Sequence, residues 1–189
     1  LIAVALRVVG LNGPLWYDEI ATVTDHLRLP WAEMFEGYQM NFHYFYSVQA
    51  KVLIGLFGEA PWVVRLPSMI FGVLGIAAIW WLARDIAGAR VAHITALLLA
   101  ISFHHIWFSQ NARGYSELQF WSTLGMILFL NGLRAPTLPV WIGYGVVLAL
   151  AVYTHLTGAF FFAAQGVVWV GVVAVAALGG RLSREAFLY

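Results

Sequence analysis

Cysteine is absent from the 189 residues. The chain therefore has no disulfide framework, no thiol nucleophile and no iron–sulfur site. Charge is nearly as scarce. Only 10% of residues are charged, against about 25% in an ordinary soluble domain. Neither sign prevails, and the formal net charge is +1. That balance excludes a nucleic-acid binder, which needs a basic surface. A disordered chain is excluded too, because it would be poor in apolar residues. The sequence also lacks a Walker motif, a dinucleotide fingerprint, a His-Glu-x-x-His pair and an Asp-x-Asp pair.

What is present is apolar. Hydrophobic residues make up 62% and the mean hydropathy is +0.81. Long apolar runs occupy residues 1–14, 63–83, 91–108, 116–133, 138–155 and 158–178. Each of the last five is roughly long enough to cross a bilayer core, which takes about 20 residues. The first run is too short and reads as a span without its beginning. No signal peptide is evident. The expectation is an all-α polytopic membrane protein, a single transmembrane module over 1–189, read as a piece of a longer chain.

Residues 44–57 are apolar but short, with Lys51 in the middle. Ser47, Lys51, Gly55 and Gly58 share one narrow polar face at helical spacing. That pattern suits a helix lying in the membrane interface. With 44–57 flat, the turns at 84–90, 134–137 and 179–185 fall on one side. They carry Arg84, Arg90, Arg134, Arg181 and Arg184, so that side reads as cytoplasmic. Residues 15–62 then form one extracytoplasmic loop with juxtamembrane helices. Asp18 is placed to cap a helix through Ile20 to Leu27, and Pro30 to start another over Trp31 to Tyr38. The aromatics from Trp16 to Tyr46 read as an interfacial belt.

This topology brings Asp18-Glu19, Arg65, Arg113 with Tyr115, and His155 to one face, with His43 nearby. Ionisable groups at membrane depth are costly and often functional. Asp18 is the candidate base for a hydroxyl; the alternative is a helix cap. Arg65 and Arg113 offer planar forks that match phosphate oxygens; the alternative is snorkelling to lipid headgroups. His104 and His105 are adjacent, so a helix points them about 100° apart. His26, His43 and His155, with Glu33 or Glu36, have no spacing that demands zinc, and no metal is expected.

The ordered segments resemble a known family. They are Leu15-Trp16-Tyr17-Asp18-Glu19, Asn41-Phe42-His43-Tyr44-Phe45-Tyr46, Phe57-Gly58, Val64-Arg65-Leu66-Pro67-Ser68, Phe108-Ser109-Gln110-Asn111-Ala112-Arg113-Gly114-Tyr115 and Tyr153-Thr154-His155. Together they look like the amino-terminal half of a bacterial glycosyltransferase family 39 protein. That group holds protein O-mannosyltransferases and aminoarabinose transferases on a GT-C membrane fold. The resemblance implies transfer of a sugar from a polyprenyl-phosphate carrier to a protein, lipid or glycan acceptor outside the cytoplasm. It implies Asp18 and Glu19 as the catalytic acids, and Arg65, Arg113 and Tyr115 on the donor phosphate. His43 and His155 would line the substrate pocket, with no cofactor. Three positions depart from the family pattern. His43-Tyr44-Phe45-Tyr46 replaces a proline-bearing motif, Asn111 stands where an acid is common, and Gly114 where a larger residue is common. The alternative is a non-catalytic GT-C-like scaffold subunit with membrane-protein partners.

Overall fold

The computed structural model describes residues 1–36 and 42–178. Among these residues eight α-helices follow one another: α1 (Ile2–Val8), α2 (Tyr17–Thr22), α3 (Tyr44–Phe57), α4 (Pro61–Ile101), α5 (Phe103–Ser109), α6 (Tyr115–Arg134), α7 (Leu138–Thr154) and α8 (Gly158–Leu178). No strand occurs among the described residues. Pro61 opens α4 and Pro139 sits in the first turn of α7. A missing N–H costs nothing there, because the first helical N–H groups have no partner within the helix. The helices α4 and α8 are long and apolar enough to cross a membrane.

The predicted runs at 116–133, 138–155 and 158–178 appear as α6, α7 and α8 within a residue or two. The first run gives only the short α1. The expected turn at 84–90 is much tighter than a loop. Two helical arms meet there with no intervening loop, and only Gly88 leaves helical geometry, with φ 84° and ψ 172°. This positive φ suits glycine, which has no Cβ to clash. The chain reverses there: the Trp80 and His93 rings lie 5.8 Å apart, where a straight helix would separate them by about 20 Å. The run 91–108 is broken at Ser102, whose extended backbone ends α4 and begins α5.

The two ends of the bundle are marked by side chains. Arg134 at the end of α6 pairs with Asp85 at the Gly88 turn. At the other end, the segment before α3 packs over the starts of α4 and α6. Val23, Leu27, Tyr46, Ala50, Val64 and Ala112 form the core there. A second core joins α6, α7 and α8 around Val147, Ala151 and Phe162.

The helix α3 forms over the expected residues. Its polar face is turned onto the preceding segment. Ser47 Oγ meets His26 Nδ1 at 2.8 Å. Lys51 Nζ donates to the Leu27 carbonyl at 2.7 Å and to the Leu29 carbonyl. Those carbonyls end a π-helical turn, Val23–Leu27, that continues α2. Three expectations are corrected. Asp18 does not cap a helix: Trp16 does, and Asp18 is the second helical residue. The helix over Trp31–Tyr38 is a single 3₁₀ turn, Glu33–Phe35, among the described residues; Tyr38 lies outside them. Tyr46 is not an interfacial aromatic but fully buried, its hydroxyl donating to the Val64 carbonyl at 2.5 Å. The Gly179-Gly180 stop and the 179–185 turn also lie outside the described residues.

Candidate active site

Trp16 is extended, so the first turn of α2 leaves its N–H groups open. Glu19, the third helical residue, bends back and accepts the Trp16 backbone N–H at 3.0 Å. The same carboxylate accepts the Ala112 N–H at 2.6 Å. It also grips Arg65 with both oxygens, at 2.7 Å from Nε and 2.6 Å from Nη2. Glu19 is fully buried and Arg65 nearly so. The remaining N–H groups of Arg65 go to carbonyls of the incoming chain: Leu11 at 3.0 Å, Gly13 at 2.9 Å and Pro14 at 2.9 Å. All five donors of this guanidinium are therefore engaged within the chain.

Asp18 differs from its neighbour. It is half-buried, and its carboxylate has no hydrogen-bond or ion-pair partner among the described residues. Adjacent residues thus supply one satisfied carboxylate and one open one.

The loop after α5 joins this acid pair to a second cluster. Asn111 Oδ1 accepts the Trp16 indole N–H at 3.1 Å, Ala112 reaches Glu19, and the Arg113 carbonyl accepts the Ser68 hydroxyl at 2.8 Å. The Arg113 side chain then turns to the opposite side. Its Nε donates to His43 Nε2 at 3.1 Å, and its guanidinium carbon lies 5.7 Å from the centre of the Tyr115 ring. The His43 ring is 4.8 Å from that of His155 and 5.0 Å from that of Tyr115. His155 starts the α7–α8 turn, its Nδ1 2.7 Å from the Thr157 hydroxyl. Burial pushes His43 down to about 3, helped by the positive Arg113 and by His155. His43 is thus neutral, as its acceptor role toward Arg113 requires.

Gly114 explains how this packing closes. A Cβ at that position would lie 2.7 Å from Thr154 Cγ2 and 3.0 Å from His43 Nδ1. The missing side chain is the space into which His43 fits.

The predicted residues therefore form two contiguous groups: Asp18, Glu19 and Arg65, and Arg113, Tyr115, His43 and His155. Direct contact between the groups runs through Asn111 and Ala112. An apolar groove of about 240 Å³ opens beside the second group, between Tyr44, Phe45 and Val48 of α3 and Val146, Leu150 and Tyr153 of α7.

Two buried polar sets were not foreseen. Arg7 is fully buried. It donates to Ser109 Oγ at 3.2 Å and to the Ala100 carbonyl at 3.2 Å, and meets His105 Nδ1 at 2.6 Å. Its position inside an apolar run was the available signal. Glu117 is also fully buried, with one oxygen taking Gln49 Nε2 at 2.6 Å and Trp121 Nε1 at 3.2 Å. Only the i, i+4 spacing of Glu117 and Trp121 could have hinted at that set. His26 spends its ring nitrogens on Ser47 and on the Met34 carbonyl.

Residues 45–182 match the family described as dolichyl-phosphate-mannose-protein mannosyltransferase. The chain belongs to this family. No curated protein and no solved structure matches it. The family consists of membrane glycosyltransferases of the GT-C type, which use a lipid-linked sugar donor and an acceptor. Arg65, Arg113, Tyr115 and His155 fall inside the match, whereas Asp18, Glu19 and His43 precede it.

Proposed function

We propose that the protein transfers a sugar from a polyprenyl-phosphate carrier to an acceptor hydroxyl outside the cytoplasm, with inversion at the anomeric carbon. The observation that carries this reading is the open Asp18 carboxylate beside the saturated Glu19–Arg65 pair. A base needs an unengaged acceptor within reach of water and substrate. Asp18 takes the proton of the acceptor hydroxyl. The hydroxyl oxygen bonds to the anomeric carbon, and the bond from that carbon to the carrier phosphate breaks. The electron pair stays on the phosphate, which gains one negative charge. No covalent sugar–enzyme intermediate is formed, unlike in retaining glycosidases.

Arg113 is the residue that meets the growing phosphate charge, with Tyr115 beside it and neutral His43 and His155 lining the pocket. A buried guanidinium acts strongly there because water screens it poorly. Arg65 serves as a positioning residue, since it holds Glu19 and the chain before α2. The lipid tail lies in the groove between α3 and α7. In this reading the chain makes six spans, the first of them partial, and its site faces outward from a bacterial inner membrane. No divalent metal is given a role.

The test is Asp18→Asn in the full-length protein, assayed for sugar transfer from a polyprenyl-phosphate donor. We expect kcat to fall by about 10²–10⁴-fold with donor KM little changed. Undiminished turnover overturns Asp18 as the base.

A further inference from the structure

The aromatic rings between the two groups form a continuous run. Trp16 meets Trp107 at 5.6 Å between ring centres. Trp107 meets Phe108 at 4.9 Å, and Phe108 meets Tyr115 at 5.0 Å. One end stands two residues before Asp18. The other carries the Arg113 guanidinium. The wall therefore runs from the segment that carries Asp18 to the Arg113 guanidinium. In a lipid-linked sugar donor, the interval between base and phosphate belongs to the sugar ring.

One detail separates this wall from an interfacial belt. A belt tryptophan keeps its indole N–H for headgroups and water. Trp16 spends its N–H on buried Asn111 at 3.1 Å, so its ring orientation is set by the loop that carries Arg113. The wall is also open where packing would otherwise cover it: Trp16 is 40% exposed and Trp107 42%. A pyranose offers a face of C–H groups, whose slightly positive hydrogens suit the negative face of an aromatic ring. Rigid aromatic side chains supply that contact at low entropic cost.

We propose that Trp16, Trp107, Phe108 and Tyr115, whose successive rings meet at 49°, 71° and 60°, form an angled aromatic wall, and that its Trp107 face is the platform on which the transferred sugar ring stacks. Trp107 is its central and most open member. This rests on the reading of Asp18 as base and Arg113 as phosphate contact, and it adds the subsite that reads the sugar.

The experiment compares two probes on the full-length protein in nanodiscs: a short-chain polyprenyl-phosphate mannose, and the same polyprenyl phosphate without sugar. Wild type binds the sugar-bearing probe more tightly. Trp107→Ala weakens binding of that probe by about tenfold, the scale of one good aromatic contact, and leaves the sugar-free probe unchanged. Trp107→Phe recovers most of the difference. The sugar-free probe also shows that the variant is folded. The platform is overturned if wild type binds both probes equally, or if Trp107→Ala shifts both alike or neither. Arg113→Ala supplies the separate check. It weakens both probes if Arg113 holds the phosphate. If it weakens neither, the phosphate assignment fails while the ratio at Trp107 still decides the platform.

Discussion

Glu19 and Asp18 are neighbours with opposite duties, and substitutions separate them. Removing one partner of a buried ion pair costs about 3–5 kcal/mol, because the other charge is left uncompensated. Glu19→Ala strands Arg65 in this way and should lower the melting temperature sharply. Asp18→Asn breaks no contact among the described residues and should leave the melting temperature unchanged while transfer is lost. Thermal unfolding run beside the transfer assay checks both. Gly114→Ala sets a Cβ against Thr154 and His43; we expect a loss of about 1–3 kcal/mol from overpacking, read as a lower melting temperature. The pH dependence has a definite sign. His43 is pushed down to about 3 from about 6.5 in the unfolded chain. As pH falls, the unfolded chain takes the proton first. The contribution of His43 is complete above about pH 6.5 and drains away toward pH 3, at no more than about 1.4 kcal/mol per pH unit. His26 is lowered chiefly by burial and adds in the same direction. Melting temperature should thus drop between pH 7 and pH 5, and less steeply in His43→Gln.

At the scale of elements, α3 shows what periodicity reveals and what it leaves out. Its bounds, Tyr44 to Phe57, are legible in the sequence because an apolar run ends at Gly58, whose φ of 83° stops the helix. Its polar face is legible as well, but the partner of that face is not. Ser47 and Lys51 look like interfacial polar groups until the His26 ring and the carbonyls of Leu27 and Leu29 come into view, more than 20 residues back. Lys51→Met removes this clamp, and hydrogen exchange should then quicken over residues 23–29 before it changes in α6 or α7. The engagement of Arg65 was hidden for the same reason. Its partners are carbonyls of the irregular segment 11–14, which has no repeat to read. The site was legible only as a shared end of the bundle. That Glu19 is the engaged carboxylate, and that Arg65 is spent on it, depended on contacts between residues 46 to 93 positions apart.

For the molecule as a whole, membrane sidedness is the proposal most open to direct measurement. The absence of cysteine gives a silent background. Ala135→Cys lies next to Arg134, and Thr157→Cys lies beside His155; both positions are exposed. A membrane-impermeant thiol reagent applied to intact cells should label Thr157→Cys and spare Ala135→Cys until the membrane is opened. Labelling of both, or the reverse order, would turn the site inward.

The reversal at Gly88 sits at the far end from the site, beside the Asp85–Arg134 pair. With no loop to absorb error, it works as a phase setting. Deleting one residue next to Gly88 would rotate residues 89–101 by about 100° about the helix axis. Ala92 and Ala100, the buried residues of that arm, would turn away from the core. The face that this arm turns to the core is thus set by one glycine on the opposite surface of the protein.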